Sequence, residues 1–291
     1  MNTNRANGLF LLKAIGLFMG ACFFAWSFDV GMHELGHYLA NIFLGVPERG
    51  IILNAFGSNY NIYLGDLSVA LGTPLRKAFS GASGPLFNLL VSATVSLLLW
   101  RKRSPVRLPL LMLGSIALLQ ESVGMIMEMI EGFGDWTQVG IPPVIIMLLA
   151  VILLAVGCIW MLQLLPLVGI NSMDPLWRKL VVFLAGIPLF FLCSVIYQTL
   201  FGSDIYVPTW GIVYKMEWVR KSKLIFLAVS TVLTLIITPL HRPLFSWLDR
   251  LSHTPIAQVR WRDTMIAIGL AFVIIIAQLV LFNEGAAVVA G

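Results

Sequence analysis

Seven runs of mostly apolar residues constrain this chain more than any other feature, because about 20 such residues are what an α-helix needs to cross a bilayer. They fall at 8–28, continuing into 29–45, then at 79–100, 107–130, 142–166, 179–201, 223–240 and 264–283. Composition agrees, with 59% apolar and 11% charged residues, against about 25% charged in soluble domains. These values exclude an ordinary soluble globule and a disordered chain. The net charge of +5 comes from 19 Lys and Arg scattered among apolar runs, so no basic face exists for nucleic acid. The expected fold is an all-α polytopic transmembrane bundle of about seven spans, with the lipid bilayer as its surroundings.

Three local features refine that expectation. Residues 46–78 alternate apolar and polar letters around Ile51-Ile52-Leu53 and Tyr60-Asn61-Ile62-Tyr63-Leu64, with Gly57, Asn59 and Gly65 at turn positions. They read as a short β-hairpin after the first span. The first run is too long for a cleaved signal peptide, is interrupted by Lys13 and has no small-x-small site, so it is expected to stay in the mature protein. Cys22, Cys158 and Cys193 each lie inside an apolar run, which gives no disulfide framework and no Cys-x-x-Cys pair.

Alternate crossing sorts the cations between the two sides of the membrane. The side that holds the N-terminus receives 12 Lys and Arg and the other side 7. By the positive-inside rule the N-terminus is therefore expected in the cytoplasm, in a multi-pass protein of the cell membrane.

The chemistry is concentrated in His33-Glu34-Leu35-Gly36-His37, a His-Glu-x-x-His pattern inside a helical apolar run. Residues four apart share a helix face, so both imidazoles can reach one zinc ion, while Glu34 beside them can take a proton from metal-bound water. With 4 His and 7 Glu in 291 residues, chance would produce the pattern about 0.001 times. The two remaining histidines, His241 and His253, fall on the opposite side of the membrane. Asp29 lies one turn before His33 on the same face; it reads either as the acceptor of the second His33 ring N–H or as a carboxylate at a helix kink near Gly31. A second constellation, Ser80-Gly81-Ala82-Ser83-Gly84-Pro85-Leu86-Phe87-Asn88, opens the next long run. Its small residues permit close helix approach, and Asn88 is an amide inside the bilayer that wants a partner, such as a substrate backbone or a developing oxyanion. Glu121, Glu128 and Glu131 lie on or near one face of the third span, as lining, ligand or relay.

His33-Glu34-Leu35-Gly36-His37 late in the first span, a short hairpin, then Gly84-Pro85-x-x-Asn88 opening the next span resembles the site-2 protease family of intramembrane zinc metallopeptidases. The resemblance covers residues 10–100. It implies zinc held by His33 and His37, Glu34 as catalytic base, and Gly84, Pro85 and Asn88 bordering a substrate cleft. The family's third ligand is an Asp in a Leu-Asp-Gly stretch; this chain departs from that pattern, and Phe133-Gly134-Asp135-Trp136 stands in the expected place.

Crossing parity narrows the third ligand independently. The third span returns to the level of His33 and His37 at residues 128–136, whereas Asp174 lies a further crossing away, about 30 Å across the hydrocarbon. Asp135 is preferred because Gly132 and Gly134 free the backbone to turn and because the resembled family uses an Asp; Glu128 and Glu131 are the alternatives. The expected organisation is a zinc metallopeptidase core in 1–140 followed by accessory helices in 141–291. The expected activity is zinc-dependent endopeptidase cleavage of a membrane-protein or peptide substrate. The rivals are a lipid amide or ester hydrolase and a zinc-binding scaffold.

The charge count makes a direct prediction. In a background with its three cysteines replaced, Ser104→Cys should react with an impermeant thiol reagent only from the cytoplasmic side. Labelling only from outside would invert the orientation.

Overall fold

The computed structural model describes residues 3–281 apart from 47, 55, 57, 58, 64–66, 133, 171–173, 202–204, 208–211, 215 and 253–257. Gly57, Leu64, Gly65, Phe133 and His253, named above, lie outside the described residues. The chain is a multi-pass integral membrane protein: among the described residues seven helical segments are long and apolar enough to cross a bilayer.

The first helix, α1 (Thr3–Phe43), is followed by an antiparallel hairpin of β1 (Glu48–Ile52) and β2 (Tyr60–Tyr63). A short α2 (Leu67–Leu71) leads to α3 (Pro74–Leu99), α4 (Leu108–Glu131) and α5 (Pro143–Leu164). Helices α6 (Leu176–Leu184) and α7 (Ile187–Phe201), a second hairpin of β3 (Ile205–Val207) and β4 (Ile212–Tyr214), then α8 (Met216–Ser252) and α9 (Trp261–Leu281) complete the fold.

Local chemistry sets the ends of these helices. Thr73 caps α3, its hydroxyl accepting from the Arg76 N–H at 3.4 Å, and Pro74 occupies the first helical position, where no N–H is needed. Gly132 ends α4 in the left-handed region at φ 77°, its N–H bonded to the Glu128 carbonyl at 2.8 Å. The fifth apolar run, expected as one span, is broken at Ala185–Gly186. Pro188, just inside α7, has no N–H to continue the helical ladder from α6. A side chain at Gly186 would meet Phe18 and Cys22 of α1, so the break also lets α1 approach.

Helix α1 is the hub, packed against α3, α4 and α9. Its apolar core joins Leu17, Phe18, Ala21 and Ala25 to Leu111 and Met112 of α4 and to Phe190 and Phe191 of α7, so residues before and after 140 share one core. Helix α9 runs parallel to α1: Thr264 Oγ1 donates to the Lys13 carbonyl at 3.1 Å, and further along Gln278 Nε2 donates to the Ser27 carbonyl at 2.6 Å. Leu90, Leu98, Leu148 and Val151 stand exposed on outer faces, as expected of helices solvated by lipid.

The α1–α9 contact is the testable part. A Cβ on Gly20 would lie 2.7 Å from the backbone of Ala267 and Ile268, too close for a side chain without separating the helices. Gly20→Val should lower stability by about 1–3 kcal/mol, read as an earlier thermal unfolding in detergent. Gly124→Ala, with open space around it, should not lower it.

Candidate metal centre

The last turns of α1 carry the histidine pair on one face. His33 Nε2 and His37 Nε2 lie 3.1 Å apart, and Asp135 Oδ2 lies 3.0 Å from the first and 3.1 Å from the second. Asp135 arrives from the turn after α4, which Glu128 shapes by accepting the Trp136 N–H on Oε2 at 2.6 Å. Gly134 sits at φ 130°, and a Cβ there would overlap the Glu128 side chain, so only glycine suits the position. Trp136 anchors the turn by burying its ring against Met125, Ile146 and Ala150.

The other ring nitrogens face oxygens. His37 Nδ1 donates to the Ser80 carbonyl at 2.8 Å, which can only accept, and His33 Nδ1 donates to Glu121 Oε1 at 3.0 Å. Both rings therefore turn lone pairs on Nε2 toward each other and toward the Asp135 oxygen. Three lone-pair atoms this close repel unless a proton or a metal cation lies among them. A tetrahedral zinc with bonds of 2.0–2.2 Å separates its ligands by about 3.3–3.6 Å, slightly wider than the 3.0–3.1 Å seen. The donor set, two imidazoles and one carboxylate, also suits zinc.

Around this triad the structure corrects two expectations. The partner of His33 Nδ1 is Glu121, not Asp29. Asp29 is instead hydrogen-bonded to Ser92 on α3, because α4 brings Glu121 across the His33 ring while Asp29 sits one turn deeper. Asn88, expected at a substrate cleft, is 0% exposed, and both ends of its amide are engaged: Nδ2 donates to Glu121 Oε1 at 3.1 Å and Oδ1 lies 3.3 Å from Ser92 Oγ. Gly84 and Pro85 are buried too, and a Cβ on Gly84 would overlap the His37 ring. Gly84 thus faces α1 rather than an open groove.

Glu34 is partly exposed and stands apart from the triad's hydrogen bonds. Asn61 of β2, itself 2% exposed, reaches the Glu34 carbonyl at 3.3 Å and its Oε2 at 3.4 Å through Nδ2. Glu128 serves the turn as described, and Glu131 lies partly exposed at the end of α4. Asp174 pairs with Arg178 at 3.4 Å. Among the described residues no Lys or Arg forms an ion pair with Asp29, Glu34, Glu121, Glu128 or Asp135.

Comparison of the chain with protein-family models, with curated proteins and with solved structures gives no match.

Metal analysis discriminates among the carboxylates. His33→Ala, His37→Ala and Asp135→Ala should each lower zinc affinity by more than about 100-fold, beyond the loss typical of an outer partner. Glu131→Ala should leave it unchanged. Full zinc occupancy in Asp135→Ala, with loss in Glu128→Ala, would move the ligand back along α4.

Proposed function

We propose that this protein is a membrane-embedded zinc endopeptidase, in keeping with its resemblance to the site-2 protease family. The observation that carries the reading is the convergence of His33, His37 and Asp135, with Glu34 adjacent in sequence to the first of them. His33 and His37 would hold the ion through Nε2 and Asp135 through Oδ2. When bound, zinc supplies Lewis acidity, acidifying water toward neutrality and polarising a carbonyl.

The chain's own residues provide the remainder. Glu34 would take a proton from the attacking water and return it to the leaving amine; its partial exposure leaves it free to do so. Asn61 restrains its carboxylate from the hairpin side. Glu121 and the Ser80 carbonyl fix the tautomers of the two histidines. A substrate helix hides its amides in its own hydrogen bonds, so it must unwind locally before hydrolysis. The retention of a glutamate beside the ligands favours an enzyme over a structural zinc site, which has no use for a base.

The experiment separates binding from turnover. Glu34→Gln should retain stoichiometric zinc while cleavage of membrane-peptide substrates falls by at least about 100-fold. Screening peptides and lipid amides or esters together identifies the bond class. Near-normal turnover in Glu34→Gln would end the catalytic reading. Zinc binding with no hydrolysis of either class by the wild type would point to a scaffold.

A further inference from the structure

The polar face of α3 repeats every fourth residue, with Ser80, Gly84, Asn88, Ser92 and Ser96 all buried. Its middle part joins α1 to α4 below the histidines, where Asp29, Asn88 and Ser92 are 0% exposed and Glu121 is 3% exposed. The donors and acceptors here can be assigned by elimination. Asn88 Nδ2 and the His33 ring both reach Glu121 Oε1, which leaves Asn88 Oδ1 turned toward Ser92. Ser92 has one proton and two oxygens to satisfy, Asn88 Oδ1 and Asp29 Oδ1.

Were Asp29 charged, Ser92 would donate to it and leave Asn88 Oδ1 without a donor. A carboxylate would then sit at bilayer depth with, among the described residues, no hydrogen-bond partner for Oδ2 and no Lys or Arg paired with it, an expensive arrangement. With a proton on Asp29 the conflict disappears. Its hydroxyl donates to Ser92 Oγ, Ser92 donates to Asn88, Asn88 donates to Glu121, and Oδ2 becomes a weakly polar carbonyl oxygen.

We propose that Asp29, as a neutral carboxylic acid, heads a one-directional hydrogen-bond chain through Ser92 and Asn88 that positions Glu121, and through Glu121 the His33 ring. The chain rests on the metal reading for its purpose but not for its existence. Asp29, Ser92 and Asn88 are positioning residues. They hold the Glu121 oxygen where it orients the His33 ring, with its proton on Nδ1 and its lone pair on Nε2.

The test combines infrared spectroscopy with zinc competition titrations on the full chain in detergent. The wild type should show a carboxylic-acid C=O stretching band that disappears in Asp29→Asn and shifts in Ser92→Ala. Asp29→Asn, whose amide can donate to Ser92 as the acid does, should bind zinc within about twofold of the wild type. Asp29→Ala and Ser92→Ala should weaken binding by about 10–100-fold, and Ser92→Thr should restore it. No band lost in Asp29→Asn, or zinc binding in that variant as weak as in Asp29→Ala, would overturn the proposal. An Asp29 band in wild-type protein that binds no zinc would overturn the metal centre and leave the neutral acid standing.

Discussion

The site depends on one close crossing of helices, where Gly36 of α1 meets Gly84 of α3. A Cβ on Gly36 would lie 2.7 Å from the Ser83 carbonyl and 2.9 Å from the Gly84 Cα, so neither helix could approach so near with any larger residue there. Lipid chains are as apolar as leucine, so helices in a bilayer associate through close packing and hydrogen bonds rather than through escape from water. The crossing supplies both: it seats the His37 ring over Gly84 and brings the Ser80 carbonyl to His37 Nδ1. Three residues earlier, Gly81 performs a related service. A Cβ on it would lie 2.5 Å from the Asp135 carbonyl, so its absence lets the ligand-bearing turn rest directly on α3. Helix α3 thus supplies none of the three ligand atoms, yet it seats His37 and the turn that carries Asp135.

Much of this was legible in the sequence, and the boundary of legibility is physical. His33 and His37 follow from local helix geometry, which needs no knowledge of any other element. Asp135 was reachable because parity of crossings fixes the depth at which the end of α4 emerges, and Gly132 and Gly134 mark the turn. The seven spans and the first hairpin were also accessible from hydropathy and alternation. Which carboxylate meets His33 Nδ1 was not. Helical phase places Asp29 on the correct face, but the outcome turns on how α4 crosses α1, and that is tertiary information. The spacing of four that joins Ser80, Gly84, Asn88, Ser92 and Ser96 stands in the sequence, but that Ser92 meets Asp29 depends on how α3 packs on α1. Asn61 carried no signal beyond its place in an alternating strand, since its contact with Glu34 arises from the folding of the hairpin back over α1. The break at Ala185–Gly186 escaped because apolar averaging runs smoothly through it.

The hairpin also bears on the division of the chain at residue 140. Asn61, paired in register with Ile51, meets Glu34 from within the hairpin. Between the two strands the Phe56 carbonyl accepts from Gln198 Nε2 at 2.7 Å and from Ser194 Oγ at 3.3 Å, both on α7. The Phe56 ring packs on Phe190 and Tyr197 with centroids 5.4 and 5.9 Å away, and Asn54 reaches the Tyr197 hydroxyl at 3.4 Å. Hydrogen bonds from the buried Ser194 and Gln198 side chains resist sliding, because separation would leave these donors unsatisfied. Any displacement of α7 therefore carries the hairpin with it, and with the hairpin the one side chain hydrogen-bonded to the Glu34 carboxylate among the described residues. Helices beyond residue 140 are in this sense part of the frame of the site: α9 backs the helix that bears the histidines, and α7 holds the strand that faces the glutamate.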